Sequence, residues 1–117
     1  MILEVSSSGE TFKIRVPEVQ TCNKYGLTRE SWLELFKSQD YRCPVCGKRP
    51  KTLTPSEFNI DHRHVPQYGN KSEDARRRLV RGIVCQWDNR SFLAKGMTIV
   101  KARNLVTYLG KFEVKDE

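Results

Sequence analysis

Two short cysteine motifs bracket a pair of histidines, and they constrain this chain more than any other feature. Cys43-Pro44-Val45-Cys46 comes first, Asp61-His62-Arg63-His64 follows, and Cys85-Gln86-Trp87-Asp88 comes last. Two thiolates at Cys-x-x-Cys spacing can grip one ion from a single turn, so Cys43 and Cys46 read as half of a zinc knuckle. The second half begins at Cys85 but ends in Asp88. A carboxylate ligates zinc at a similar distance, so Cys43, Cys46, Cys85 and Asp88 make a chemically sound site with one harder ligand. Cys22, a histidine or water are the alternatives for the fourth position, and ordinary thiols without metal are the alternative to a site. A metal staple suits the rest of the chain. Its 117 residues are only 38% hydrophobic, which points to one small core.

The centre between the knuckle halves has its own chemistry. His62 and His64 are the only histidines in the chain, and they follow a strand predicted at 58–61. On a strand, residues 62 and 64 share one face and 61 the other; a turn or bulge there would bring Asp61 and His62 to one site. Hydrolysis of a phosphodiester needs an activated water and a cation that stabilises developing charge. Neutral imidazole suits the first task near pH 7. A hard divalent ion such as magnesium, held by carboxylate and amide oxygens, suits the second. Asp61 offers the carboxylate and Asn89, beside Asp88, the amide oxygen. Taken singly, Asp61-His62 reads as a surface pair and Asn89 as a helix N-terminal residue. Their shared position beside the knuckle halves is what joins them.

Periodicity places these motifs on elements. Phe12, Ile14 and Val16 alternate with Lys13 and Arg15, and Ile2–Val5 is the expected hairpin partner, turning at Ser6-Ser7-Ser8-Gly9. A helix is predicted over 29–39, capped by Thr28, with Leu27 and Trp32 as a staple and Trp32, Leu33, Leu35 and Phe36 as its core face. Residues 50–57 and 65–78 read as loops and 79–85 as a second strand. A short helix is expected at 88–95 and a last one at 98–110, where Ile99, Ala102, Leu105, Val106 and Leu109 form a stripe that is either core or dimer surface.

Charge narrows the partners. The net charge is +7, from 21 Lys and Arg against 14 Asp and Glu, which suits either a polyanion or solubility alone. Arg76-Arg77-Arg78 reads as a tract following a DNA backbone or as a solvated loop. Arg81 reads as a phosphate clamp or an exposed strand arginine. Arg63, between the histidines, joins them as a DNA-contact candidate. No apolar run is long enough to span a membrane, and the start Met1-Ile2-Leu3-Glu4-Val5-Ser6 lacks the pattern of a signal peptide. The expected setting is reducing and cytoplasmic, the host's if the chain is phage-encoded.

Tyr25-Gly26-Leu27-Thr28, Cys43-Pro44-Val45-Cys46-Gly47, Ile60-Asp61-His62-Arg63-His64, Val80-Arg81-Gly82-Ile83-Val84-Cys85 and Asp88-Asn89, in that order, resemble the recombination endonuclease VII family of phage HNH nucleases. The likeness covers about residues 24–110 and departs from the family at Asp88, where cysteine is usual. It implies an α+β fold: a ββα-metal (His-Me finger) core with a zinc knuckle, flanking helices and, outside the likeness, an N-terminal β-hairpin. The expected division is an extension at 1–20 and a nuclease domain at 21–117. The resemblance implies zinc at the knuckle, His62 as general base, Asp61 and Asn89 on magnesium or manganese, and His64 contacting phosphate or supporting the site. It also implies an endodeoxyribonuclease for branched DNA such as four-way (Holliday) junctions, working as a homodimer. A nicking HNH enzyme on duplex DNA and a non-catalytic zinc-binding nucleic-acid module are the alternatives.

Overall fold

The computed structural model describes residues 1–94 and 96–112. It is a small α+β fold with two antiparallel strand pairs. The first pair is β1 (Ile2–Ser7) and β2 (Glu10–Arg15), in the register Val5 to Phe12 and Leu3 to Ile14. The turn is tighter than the expected four residues: only Ser8 and Gly9 lie between the strands, both at positive φ (53° and 78°). That combination matches the right-handed twist of a hairpin. Helices α1 (Val19–Lys24) and α2 (Arg29–Ser38) follow. Thr28 caps α2 as expected, in a reciprocal capping box with Ser31.

Trp32 and Phe36 of α2 are buried in the main core with Ile14, Val16, Cys22, Leu27, Tyr41, Ile60 and Ile83, while Leu33 and Leu35 pack at its edge. The aromatics of α2 are therefore core. The core also joins the hairpin to the second strand pair: Ile14 and Val16 are nearly solvent-free within it. Arg49 ties the hairpin to the knuckle side, bonding Glu10 and Asp40 and stacking on Phe12.

The second pair is β3 (Phe58–His62) and β4 (Val80–Cys85). Its register runs Phe58 to Cys85, Asp61 to Gly82, then His62 to Val80, which leaves Arg81 as an extra residue on β4. This is a β-bulge, a device that re-aims side chains at a strand end. Gln39 closes the other edge of β4: its amide accepts from Ile83 N at 2.8 Å and donates to Ile83 O at 2.7 Å.

The segment 65–78 differs from the expected loop. Tyr68–Asn70 forms a 3-10 turn and Glu73–Arg78 forms α3, capped by Ser72. Its first turn holds Glu73 and Asp74 and its last turn Arg76, Arg77 and Arg78, the arrangement that complements a helix dipole. No apolar stripe signalled it, because α3 has no buried residue. Gly26, at φ +72°, lies under it; a Cβ there would come within 2.3 Å of Glu73 O. The Tyr25-Gly26 step thus seats α3.

After β4, α4 (Gln86–Asp88) begins two residues earlier than expected and passes into a π-helical turn at Asn89–Leu93. Lys95, the end of the expected short helix, lies outside the described residues, as do residues 113–117 of the expected nuclease domain. Helix α5 (Ile99–Gly110), capped by Thr98, has no buried residue. Its stripe is open to solvent, with Ile99 at 69% and Val106 at 71% exposure. Of the two expectations for it, core is excluded. The radius of gyration, 16.1 Å, exceeds the roughly 13 Å of a compact chain of this length. No helix among the described residues is long and apolar enough to cross a membrane.

Candidate active site and metal centre

The fold gathers both knuckle halves. Cys43, Cys46, Cys85 and Asp88 place one donor atom each within 4.8 Å of one another, and all but Cys46 are buried. Cys43 Sγ and Cys85 Sγ lie 3.2 and 3.1 Å from Asp88 Oδ2, and Cys46 Sγ lies 3.8 Å from Cys85 Sγ. Zinc–sulfur bonds of about 2.3 Å in a tetrahedron set a sulfur–sulfur edge of about 3.8 Å, so that spacing fits. Asp88, and not Cys22, completes the set; Cys22 is sealed in the main core.

Protonation points the same way. Burial and the crowding of Asp88, Cys43 and Cys46 push the Cys85 thiol up to about 12. Hydrogen bonding to Asp88 leads the causes that raise Cys46. Asp88 stays low: burial opposes its ionisation, but donation from the three thiols outweighs it. Four acidic groups this close cannot all carry charge alone, and a cation is what makes the ionised set favourable. The cluster can hold a metal ion such as zinc.

A cavity of about 300 Å³ lies along β3. His62, His64, Asn59 and Asn89 line it, together with Tyr25 and Glu57. His62 stands at the end of β3, just past the bulge. Its ring packs between His64 (4.7 Å, stacked), Tyr68 (4.3 Å) and Tyr25 (5.2 Å). Tyr68 is itself pinned by donating to Arg76 O at 2.9 Å. Burial, with the charges of His64, Arg81 and Lys24 adding to it and Asp61 opposing, holds the His62 imidazole below its ordinary value. It is therefore neutral, and able to accept a proton, over a wider range below pH 7.

Asn89 begins the π-helical turn and donates to Asn59 Oδ1 at 3.4 Å. No hydrogen bond to Asn89 Oδ1 is found among the described residues, so an oxygen donor remains available in the cavity. Asp61 is 4% exposed and lies beside the cavity instead of lining it. Its two oxygens accept a bidentate pair from Arg81 Nε and Nη2, both at 2.8 Å. The bulge explains this: as the extra residue of β4, Arg81 is free to turn onto the carboxylate. The structure thus brings His62, His64 and Asn89 to one cavity and gives Arg81 a partner within the protein. Arg63, Arg77 and Arg78 are exposed. Arg76 bonds Lys71 O and Asn23 O.

Three residues of this neighbourhood went unread in the sequence. Asn59 touches Asn89. Tyr68 buttresses His62. Glu57 holds the segment that joins the knuckle to β3, accepting from the backbone N–H of Lys51, Thr52 and Leu53 at 2.8–3.0 Å. The only sequence signal for Asn59 was its period-two spacing from Asp61 on a short strand.

A sequence model described as recombination endonuclease VII matches residues 18–111 of the chain. No curated protein and no solved structure matches it significantly. The match spans both knuckle halves, the histidine pair and Asn89, and leaves out the hairpin, and with it the chain belongs to the recombination endonuclease VII family, nucleases that act on DNA.

Proposed function

We propose that the chain is a metal-dependent HNH-type endodeoxyribonuclease whose β3, β4 and following helical turn serve as a ββα-metal core. The observation that carries this is the meeting of His62, His64 and Asn89 in one cavity beside the bulged Asp61–Arg81 step. His62 is the general base, taking a proton from the attacking water; its lowered basicity near the cavity wall keeps it unprotonated. His64, stacked on it, holds the ring and faces the phosphate side. Asp61 and Asn89 would hold magnesium or manganese through hard oxygens; Asn89 lines the cavity, whereas the Asp61 carboxylate would first have to leave Arg81. When bound, the ion supplies charge for the scissile phosphate and the leaving oxygen. Arg81 would keep the Asp61 carboxylate paired until then, and its guanidinium would turn to a phosphate once released. Cys43, Cys46, Cys85 and Asp88 would hold zinc, which would fix the end of β4 and so the position of Asn89.

Arg63, Arg76, Arg77, Arg78 and the net charge of +7 support backbone contact without base reading. Branched or junction DNA is the substrate this reading favours, on the strength of membership in the recombination endonuclease VII family. The open stripe of α5 supports a homodimer. The test is His62→Ala: cutting of a four-way junction with magnesium is lost while binding of the same DNA persists. Undiminished cutting by that variant removes His62 from the role. Equal cutting of a matched linear duplex by the wild type removes the branched-DNA preference and favours the duplex-nicking alternative.

A further inference from the structure

The two tryptophans of the chain have opposite fates. Trp32 is 2% exposed in the core, whereas Trp87 is 65% exposed on α4. Trp87 occupies one of the two middle positions of the Cys85-x-x-Asp88 turn, whose ends are held inside by the knuckle. Nothing in that turn requires an indole for packing. Phe92 props it edge-on, with ring centroids 5.5 Å apart at 72°, and a shallow groove of about 360 Å³ runs along it, lined by Gln86, Arg90 and Ser91. An aromatic face is thus open to solvent, backed by a second ring, flanked by a cation and mounted on a turn whose neighbour Asp88 is fixed by two thiols.

We infer that Trp87 is a stacking site for an unpaired nucleobase of the DNA strand whose phosphate lies in the cavity. This rests on the reading of the chain as a DNA nuclease and adds a site to it. Residues two apart on a helical turn point away from each other, and Asn89, two residues on, lines the cavity. A strand that leaves the cavity and crosses the turn meets the indole on its far side, in the separate groove that Trp87 lines. Stacking of a base on an exposed aromatic is tolerant of sequence and contributes about 1–3 kcal/mol per base. A neighbouring Arg90 attracts the phosphate that accompanies it. Only a base freed from its partner offers a face to the indole, so the site selects strands with unpaired nucleotides, as at a branch point or gap.

The test uses the full chain carrying His62→Ala, so that the DNA stays whole. Two probes are compared, a duplex with a short single-stranded gap and the same duplex fully paired. The emission of Trp87, obtained by difference from Trp87→Phe, is quenched by the gapped DNA and little by the paired one. Trp87→Ala lowers the ratio of gapped to paired affinity about tenfold, while Trp87→Phe, which keeps an aromatic face, retains most of it. An unchanged ratio in Trp87→Ala overturns the stacking site while leaving DNA binding intact. Trp87 emission that shifts with protein concentration in the absence of DNA also overturns it, because the indole then covers a second copy of the chain. Failure of the protein to bind either DNA overturns the DNA reading and the stacking site together.

Discussion

The bidentate pair between Arg81 and Asp61 makes two effects of one substitution move in opposite directions. Arg81→Met keeps the length of the stem and removes the guanidinium. Asp61 is then left as a carboxylate with a 5% exposed side chain and no partner for either oxygen among the described residues, whereas the Arg81 side chain is 42% exposed. Breaking a fully buried pair costs about 3–5 kcal/mol, and an exposed pair contributes about 0.2–1 kcal/mol. This pair lies between, so the variant should lose about 2 kcal/mol in cation-free buffer, read from the midpoint of urea unfolding. The same guanidinium competes with any cation for Asp61. At about 1.4 kcal/mol per tenfold, release of the whole pair tightens divalent-ion binding by about 30-fold, and release of one of its two hydrogen bonds by about fivefold. Titrating manganese into each protein while following thermal unfolding measures this, since a ligand that binds only the folded state raises stability with its concentration over Kd. The expected variant starts lower and gains more. A variant that starts lower and gains no more than the wild type refutes the competition. A variant as stable as the wild type refutes the magnitude assigned to the pair.

Other outcomes follow from neighbouring geometry. Gly26→Ala should destabilise the chain by more than about 2 kcal/mol, from positive-φ strain of about 1–2 kcal/mol plus the clash with Glu73 O; a thermal midpoint within error of wild type would show that α3 is not seated on Gly26. Asp88→Ala should lower zinc content by metal analysis, and Asp88→Cys should restore it; unchanged zinc in the alanine variant removes Asp88 from the ligand set. Glu57 is opposed by burial, yet donation from Thr52, Lys51 and Leu53 outweighs it and holds its carboxyl below the ordinary value. Its contribution is therefore present above the unfolded glutamate value and is lost as pH falls through the lower folded value. The stability gap between wild type and Glu57→Gln, about 2 kcal/mol near neutral pH, should close on acidification, and a gap that widens there contradicts the sign.

Much of the fold was legible because it rests on local signals. The period-two run through Phe12, Ile14 and Val16, the Thr28 cap with its Leu27–Trp32 staple, and the strand before His62 each declare themselves within a few residues. Helix α3 did not, since it buries no side chain, and a helix without an apolar stripe has no period to detect. A turn or bulge was expected at the end of β3; the extra residue, Arg81, lies instead on β4. Only pairing of the two strands decides which of them carries the extra residue.

The sequence by itself determined the chemistry available: three thiols and a carboxylate at knuckle spacing, two histidines, the amide of Asn89 and a cationic excess. Residue types carry acidity, donor hardness and charge wherever they stand. Tertiary structure decided who meets whom. It chose Asp88 over Cys22 by burying Cys22 elsewhere, turned Asp61 onto Arg81 through a one-residue slip in register, and wrapped His62 in Tyr25, Tyr68 and His64. It also left Trp87 and the α5 stripe in solvent. Those outcomes depend on contacts between residues far apart in the chain, and short-range periodicity holds no record of them.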